Sequence, residues 1–275
     1  MPFRPRHDDH AIAEVAYALQ LSQVISEQHI DAVIAAAKAI HDELPIRELR
    51  RSQVVPFDGP SNAIVPPMVL PPGLTLRSVQ RDGSLDWMIR LADNLVTVNC
   101  GSYTRWRNVW PVAWKYLSLV CNEILGTDLH VVGLGITYID EFIWEGEIHA
   151  YDARELLSDE ISLPRALNTS SPLWHLHQGW FVTSVDEFEN GRRLERVHFD
   201  GIEVNGSYLV RVESTLRHDF VRFLSSLSTP LNDLELPEVK PITAEVLFEL
   251  LHGRSKALLL DFVAPVLAQK IGLGA

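Results

Sequence analysis

The chain has 275 residues, of which 47% are hydrophobic and 22% charged. That composition supports a buried core and excludes wholesale disorder. Lys and Arg total 24 against 36 Asp and Glu, a formal charge of -12. General nucleic-acid binding is therefore not expected, because sequence-independent affinity for phosphate backbones is built from many Lys and Arg contacts.

Two cysteines, Cys100 and Cys121, are too few for a disulfide framework and both sit in apolar patterns, so they read as buried thiols. The segment from Met1 to His10 has no apolar h-region, and no run approaches the roughly 20 apolar residues of a membrane span. The expectation is a cytoplasmic chain with no membrane association.

In chain order, Ile12 to Leu21 alternates with period two and predicts a strand. Ser26 is placed to cap a helix whose apolar positions, Ile30, Val33, Ile34, Ala37, Ile40 and Leu44, recur every three or four residues until Pro45. Residues 52–73 carry Pro56, Pro60, Pro66, Pro67, Pro71 and Pro72, which argue against helix and central strand. This stretch reads as a packed-down loop, or alternatively as a lid or partner-docking segment. Leu74–Val79, Leu85–Leu91 and Leu95–Asn99 follow as three short strands, with turns at Asp82-Gly83 and Asp93-Asn94.

A second helix holds Trp106, Val109, Trp110, Ala113, Leu117, Val120, Cys121 and Ile124 and ends at Gly126. Pro111 either falls in its first turn, with a start near Asn108, or kinks a longer helix capped by Thr104. Leu129–Glu147 predicts a long strand, with Gly133 and Gly135 as bulge or close-packing points. After an irregular stretch with a short helical piece near Ala153–Leu157, strands are predicted at His177–Glu189, Arg193–Glu203 and Ser207–Arg217, with hairpin turns at Gly191 and at Asn205-Gly206. Thr243 is placed to cap a helix, which Gly253 interrupts before a last helical stretch over Ala257–Phe262 and, after Pro265, Val266 and Leu267.

The order β-α-βββ-α-β-βββ-α, with tight turns joining consecutive strands, predicts the α+β class: antiparallel sheet flanked by about three long helices. One domain, 1–275, is expected. The echo between residues 1–128 and 129–275 hints at an internal pseudo-duplication, which no sequence repeat supports.

Three segments, Ile12-Ala-Glu-Val-Ala-Tyr17, Tyr103-Thr-Arg-Trp106 and Val132-Gly-Leu-Gly-Ile-Thr-Tyr-Ile-Asp140, occur in this order. Together they resemble a sporadically distributed family of bacterial proteins of about this length. That family has a Pro-x-x-Glu-Ala opening, a Tyr-x-x-Trp helix start and a Gly-Leu-Arg-Tyr-Ile-Asn strand. Here Thr137 stands where that pattern has Arg and Asp140 where it has Asn, and Ala11 and Ala13 depart from the opening. The resemblance covers nearly the whole chain; it implies an architecture and a bacterial context and assigns no catalytic residue.

Several residue groups could carry chemistry. His175 and His177 share one face of an extended strand and could begin a metal site, although no companion His-Glu-x-x-His motif or Cys pair accompanies them. Arg193 and His198 have an Arg-x4-His spacing, but an odd offset in a strand puts them on opposite faces. Asp186, Glu187, Glu189 and Glu195 form an acidic group near a predicted turn, the usual place for solvated charge. No phosphate-cradling glycine loop or Gly-x-Ser-x-Gly elbow is present.

Trp106, Trp110 and Trp114, four residues apart, form one helix stripe suited to core packing or to lining a cavity for a flat apolar ligand. Arg105 and Arg107 flank it. The candidate ligand or partner residues are therefore Tyr103, Arg105, Trp106, Trp110, Trp114, Thr137, Tyr138 and Asp140; no catalytic residue and no cofactor is called for.

The leading expectation is a non-enzymatic, partner-binding accessory or regulatory protein, a protein partner or homo-oligomer, of the kind found in bacterial defence or toxin-type systems. The second is a small-molecule binding domain with a cavity between the sheet and the Trp-lined helix. The third is a metal-dependent hydrolase or nuclease at His175 and His177.

Overall fold

The computed structural model describes residues 2–55, 68–126, 128–159, 161, 168–182, 191–224, 226–227 and 243–273. The first part of the chain forms β1 (Phe3–Pro5), β2 (Ile12–Leu21), α1 (Glu27–Ala36), β3 (Ile46–Arg50), β4 (Gln53–Val55), β5 (Met68–Leu70), β6 (Gly73–Val79), β7 (Leu85–Ala92), β8 (Leu95–Cys100) and α2 (Trp106–Ile124). The second part forms β9 (Val131–Trp144), β10 (Trp174–Val182), β11 (Gly191–Val204), β12 (Ser207–Leu224), α3 (Ala244–Phe262) and α4 (Pro265–Lys270). All but β4 and β5 of the strands join one antiparallel sheet, in the order β10-β11-β12-β9-β2-β8-β7-β6-β3, with β1 added alongside β9. The α+β class with antiparallel pairing is what the structure has.

The strand order mirrors itself about the central β2–β9 pair. On one side β8, β7 and β6 follow β2; on the other β12, β11 and β10 follow β9. In each half the first strand therefore pairs with the last of its three-strand meander. Each half also supplies a helix, α2 against β8 and α3 against β9 and β12. The seam between the halves thus runs beneath the space between α2 and α3.

Local chemistry explains the elements. Ser26 accepts the His29 amide and caps α1, while the His29 ring accepts the Ser26 amide in return. Asp93 (φ 54) and Asn205 (φ 52) with Gly206 (φ 78) adopt the left-handed conformations that two-residue hairpin turns demand. In α2 the buried positions Val109, Trp110, Ala113, Tyr116, Leu117, Val120, Cys121 and Ile124 form one continuous stripe. The two cysteines are free and buried, and burial pushes their thiols up to about 11 and about 12.

The structure corrects several expectations. The expected order lacks β1, β3, β4 and β5, and it does not count α4, the helical residues expected after Pro265, as a separate helix. β4 and β5 pair within the Pro-rich stretch because each uses a proline-free triplet, with Pro56, Pro60, Pro66 and Pro67 between them in sequence; residues 56–67 lie outside the described residues. α2 starts at Trp106 without a side-chain cap, so Thr104 is not its N-cap, and Pro111 sits inside it, where it offers no N–H to the Arg107 carbonyl. α3 runs unbroken through Gly253, capped by Thr243 as expected. Packing of one face carries the glycine, whose intrinsic cost is only about 1 kcal/mol. β10 begins three residues before the expected strand, and residues 183–190 are outside those described.

Candidate functional site

A concave cleft of about 570 Å³ opens over the β2–β9 seam, between the start of α2 and the middle of α3. On β9, inward-facing positions alternate, and Tyr138 and Asp140 point to the helix-covered side with Leu134, Ile136 and Phe142. The start of α2 adds Tyr103, Arg105, Trp106 and Arg107; α3 adds His252, Ser255, Lys256 and Leu259; His10 and Ile12 enter from the strand side, and residues 271–273 close one end. The three segments that carry the family resemblance, spread over residues 12–140, all reach this cleft.

The interior groups are buried polar residues: Asp140 is 2% exposed, Tyr138 3%, His10 7% and His252 9%. The Asp140 carboxyl makes no hydrogen bond or ion pair with any described residue, and burial alone raises it from 3.8 to about 7. The Tyr138 hydroxyl lies 2.7 Å from His252 Nδ1. Burial, with a smaller contribution from Lys256, pushes His252 down to about 4, so at neutral pH its ring is uncharged. Burial also raises the Tyr138 and Tyr103 phenols, which stay protonated. His10 is lowered by burial and by His7. The interior therefore offers one carboxyl able to exchange its proton near neutrality, surrounded by neutral hydrogen-bonding groups.

Aromatic surface forms the wall. The Trp106 indole stacks face to face on the His252 ring at 4.0 Å, and its N–H donates to both Glu249 carboxylate oxygens at 2.9 Å, tying α2 to α3. Its other ring neighbours are Trp110, stacked at 5.0 Å, and Tyr17, tilted at 5.9 Å. At the rim, Arg105 is engaged by Asp9 at 2.6 Å, whereas Arg107 and Lys256 are exposed and make no ion pair with a described residue.

Of the sequence candidates, Tyr103, Arg105, Trp106, Tyr138 and Asp140 line the cleft. The tryptophan stripe divides: Trp110 is core, packed on Tyr17 and Phe248, and Trp114 is half-buried beside it, so neither lines the cleft. Thr137 points to the opposite face of the sheet, where its hydroxyl lies 3.1 Å from that of Thr215. One residue of offset along a strand is the reason.

His10, His252, Ser255 and Lys256 were not among the candidates. His252 and Ser255 occupy buried positions of the α3 stripe alongside Leu251, Leu258 and Leu259, and polar residues at apolar-face spacing are the signal that marks them.

The acidic group also separates. Glu195 is fully buried in an ion cluster, accepting from Arg193 at 2.8 Å and from Arg254 of α3 at 2.8 and 3.0 Å, and is a structural link between β11 and α3. Asp186, Glu187 and Glu189 lie outside the described residues. His175 and His177 sit on the open sheet face, away from the cleft; the ring nearest His175 Nδ1 is His198, at 3.2 Å. Arg193 and His198 fall on opposite faces, as their offset requires.

Among the described residues no helix is long and apolar enough to cross a membrane. No protein-family model matches the chain, and no curated protein matches it.

Proposed function

We propose that this protein binds a small organic anion carrying an N–H donor, held in the cleft between α2, α3 and the β2–β9 seam. Asp140 carries the reading: a buried carboxyl without a partner among the described residues is costly to keep, and a ligand N–H at that point would supply the missing hydrogen bond. The Trp106–His252 stack offers a flat apolar wall. Arg107, Lys256 and the amide groups at the uncapped start of α2 suit an anionic group at the mouth.

We favour the ligand-binding expectation over the partner-binding one. The cleft has converging polar groups, while the partner-binding expectation stands on the acidic charge, the lack of catalytic motifs and the family resemblance.

The test is a thermal-shift screen of nucleoside monophosphates and N-acyl amino acids, with native mass spectrometry of any hit. A ligand at one hundred times its Kd stabilises by about 2.7 kcal/mol, an upward shift of about 5 °C for a chain of this size. Asp140→Asn, which keeps one acceptor oxygen and loses the charge, is expected to reduce the shift and the bound mass. A hit that binds the Asp140→Asn and Lys256→Ala variants as tightly as the wild type removes the proposal.

A further inference from the structure

On the sheet face opposite the cleft, the antiparallel register of β10 and β11 sets His175 across from Asp200 and His177 across from His198. Their neighbours Trp174 and Leu176, opposite Gly201 and Phe199, face the helices. Three ligand-type atoms converge there. His198 Nε2 is 3.2 Å from His175 Nδ1 and 3.2 Å from Asp200 Oδ1, and His175 Nδ1 is 3.5 Å from the same oxygen. We propose that His175, His198 and Asp200 bind a divalent transition metal, zinc in the first instance.

The triangle has the size that a metal requires. Zinc bonds of about 2.0–2.1 Å to imidazole nitrogen and carboxylate oxygen, at tetrahedral angles, place the ligand atoms about 3.3–3.4 Å apart. The observed edges, 3.2, 3.2 and 3.5 Å, bracket that value. Linear hydrogen bonds account for at most two of the three edges, because each ring nitrogen carries at most one hydrogen and the carboxylate none.

The local charges leave the carboxylate available. Arg211, opposite Asp200 on β12, is held by Glu141 at 2.8 Å, and Arg196 is held by Glu213 at 2.6 Å. The His198 and Asp200 side chains are 24% and 33% exposed and His175 is 67% exposed, so the ladder holds two ligands and the fourth vertex faces solvent. Two imidazoles with one carboxylate and an open position is a set that zinc favours and that magnesium, a hard cation seeking oxygen, does not.

The untagged full chain, stripped with EDTA, is titrated with zinc chloride by calorimetry in the presence of excess magnesium. One equivalent is expected to bind, and His198→Ala and Asp200→Asn are each expected to weaken it by about tenfold or more. His7→Ala, which alters another close imidazole pair, is expected to bind as the wild type does. Cobalt added in place of zinc should give the intense visible absorption of four-coordinate Co²⁺, lost in His198→Ala. The three side chains lie on the solvent side of the sheet, so the metal-free variants should melt with the wild type, and Asp200→Asn keeps the shape of the residue it replaces. No zinc uptake by the wild type, or uptake unchanged in both site variants, overturns the proposal.

Discussion

Replacing Asp140 by Asn removes the ionisable group while keeping a polar side chain of the same shape. Burial raises the folded-state carboxyl from 3.8 to about 7, so between those two values the folded chain holds a proton that the unfolded chain has released. Folding stability therefore falls as pH rises through that window and is restored in acid. At 1.36 kcal/mol per tenfold change in proton activity, the penalty is about 1 kcal/mol at pH 4.5 and about 4 kcal/mol at pH 8. Asp140→Asn escapes it, and the variant should gain on the wild type by about 3 kcal/mol more at pH 8 than at pH 4.5.

Urea unfolding of both proteins at the two pH values measures this directly, because other titrating groups largely cancel in the difference. A stability difference that does not change with pH, or one that favours the wild type more at pH 8, refutes the reasoning. The same substitution is expected to weaken ligand binding, so the variant should be more stable and bind less tightly. That combination is the mark of a residue kept for function at a cost in stability.

Glu195→Ala removes the carboxylate between the Arg193 and Arg254 guanidiniums and should cost about 3 kcal/mol in urea unfolding, since it takes one partner out of a buried ion pair. Burial opposes ionisation of Glu195, but hydrogen bonding and attraction from Arg254 and then Arg193 outweigh it and hold the carboxyl below its usual range. Its stabilising contribution is thus present above the ordinary carboxylate pKa and lost as pH falls through the lower folded value, which should appear as wild-type acid lability that Glu195→Ala lacks. Two glycine substitutions should have opposite signs by calorimetric Tm. Gly253→Ala, in mid-helix with open space around the added methyl, should gain about 0.5–1 kcal/mol. Gly135→Ala, whose methyl would lie 2.9 Å from the Leu216 carbonyl oxygen, should lose about 1–3 kcal/mol.

Much of the secondary structure was legible because its determinants are local. Ser26 and Thr243 as caps, the Asn205-Gly206 hairpin and the apolar stripe of α2 each involve residues within a few positions of one another. Where local rules conflicted, packing decided: Gly253 did not end α3, and the Pro-rich stretch still contributed a short ladder at its proline-free ends.

Part of the cleft was legible as well. Tyr103, Trp106, Tyr138 and Asp140 were singled out by the resembling segments, and strand parity already separates Thr137 from its neighbours Tyr138 and Asp140. His252 and Ser255 were readable as polar residues on an apolar face, though not as neighbours of β9.

What the sequence by itself determined is the class of elements, their approximate bounds and the antiparallel sense of the hairpins, because turn chemistry and hydrophobic period act over a few residues. The tertiary structure alone decided the pairing of β2 with β9, residues more than a hundred positions apart, and with it the seam on which Asp140, Tyr138 and His252 meet. It also decided that Asp140 is left buried without a partner among the described residues, and that His175 faces His198 and Asp200. Such juxtapositions depend on long-range register and on how two helices divide one sheet face between them, and neither is encoded in any local pattern of the chain.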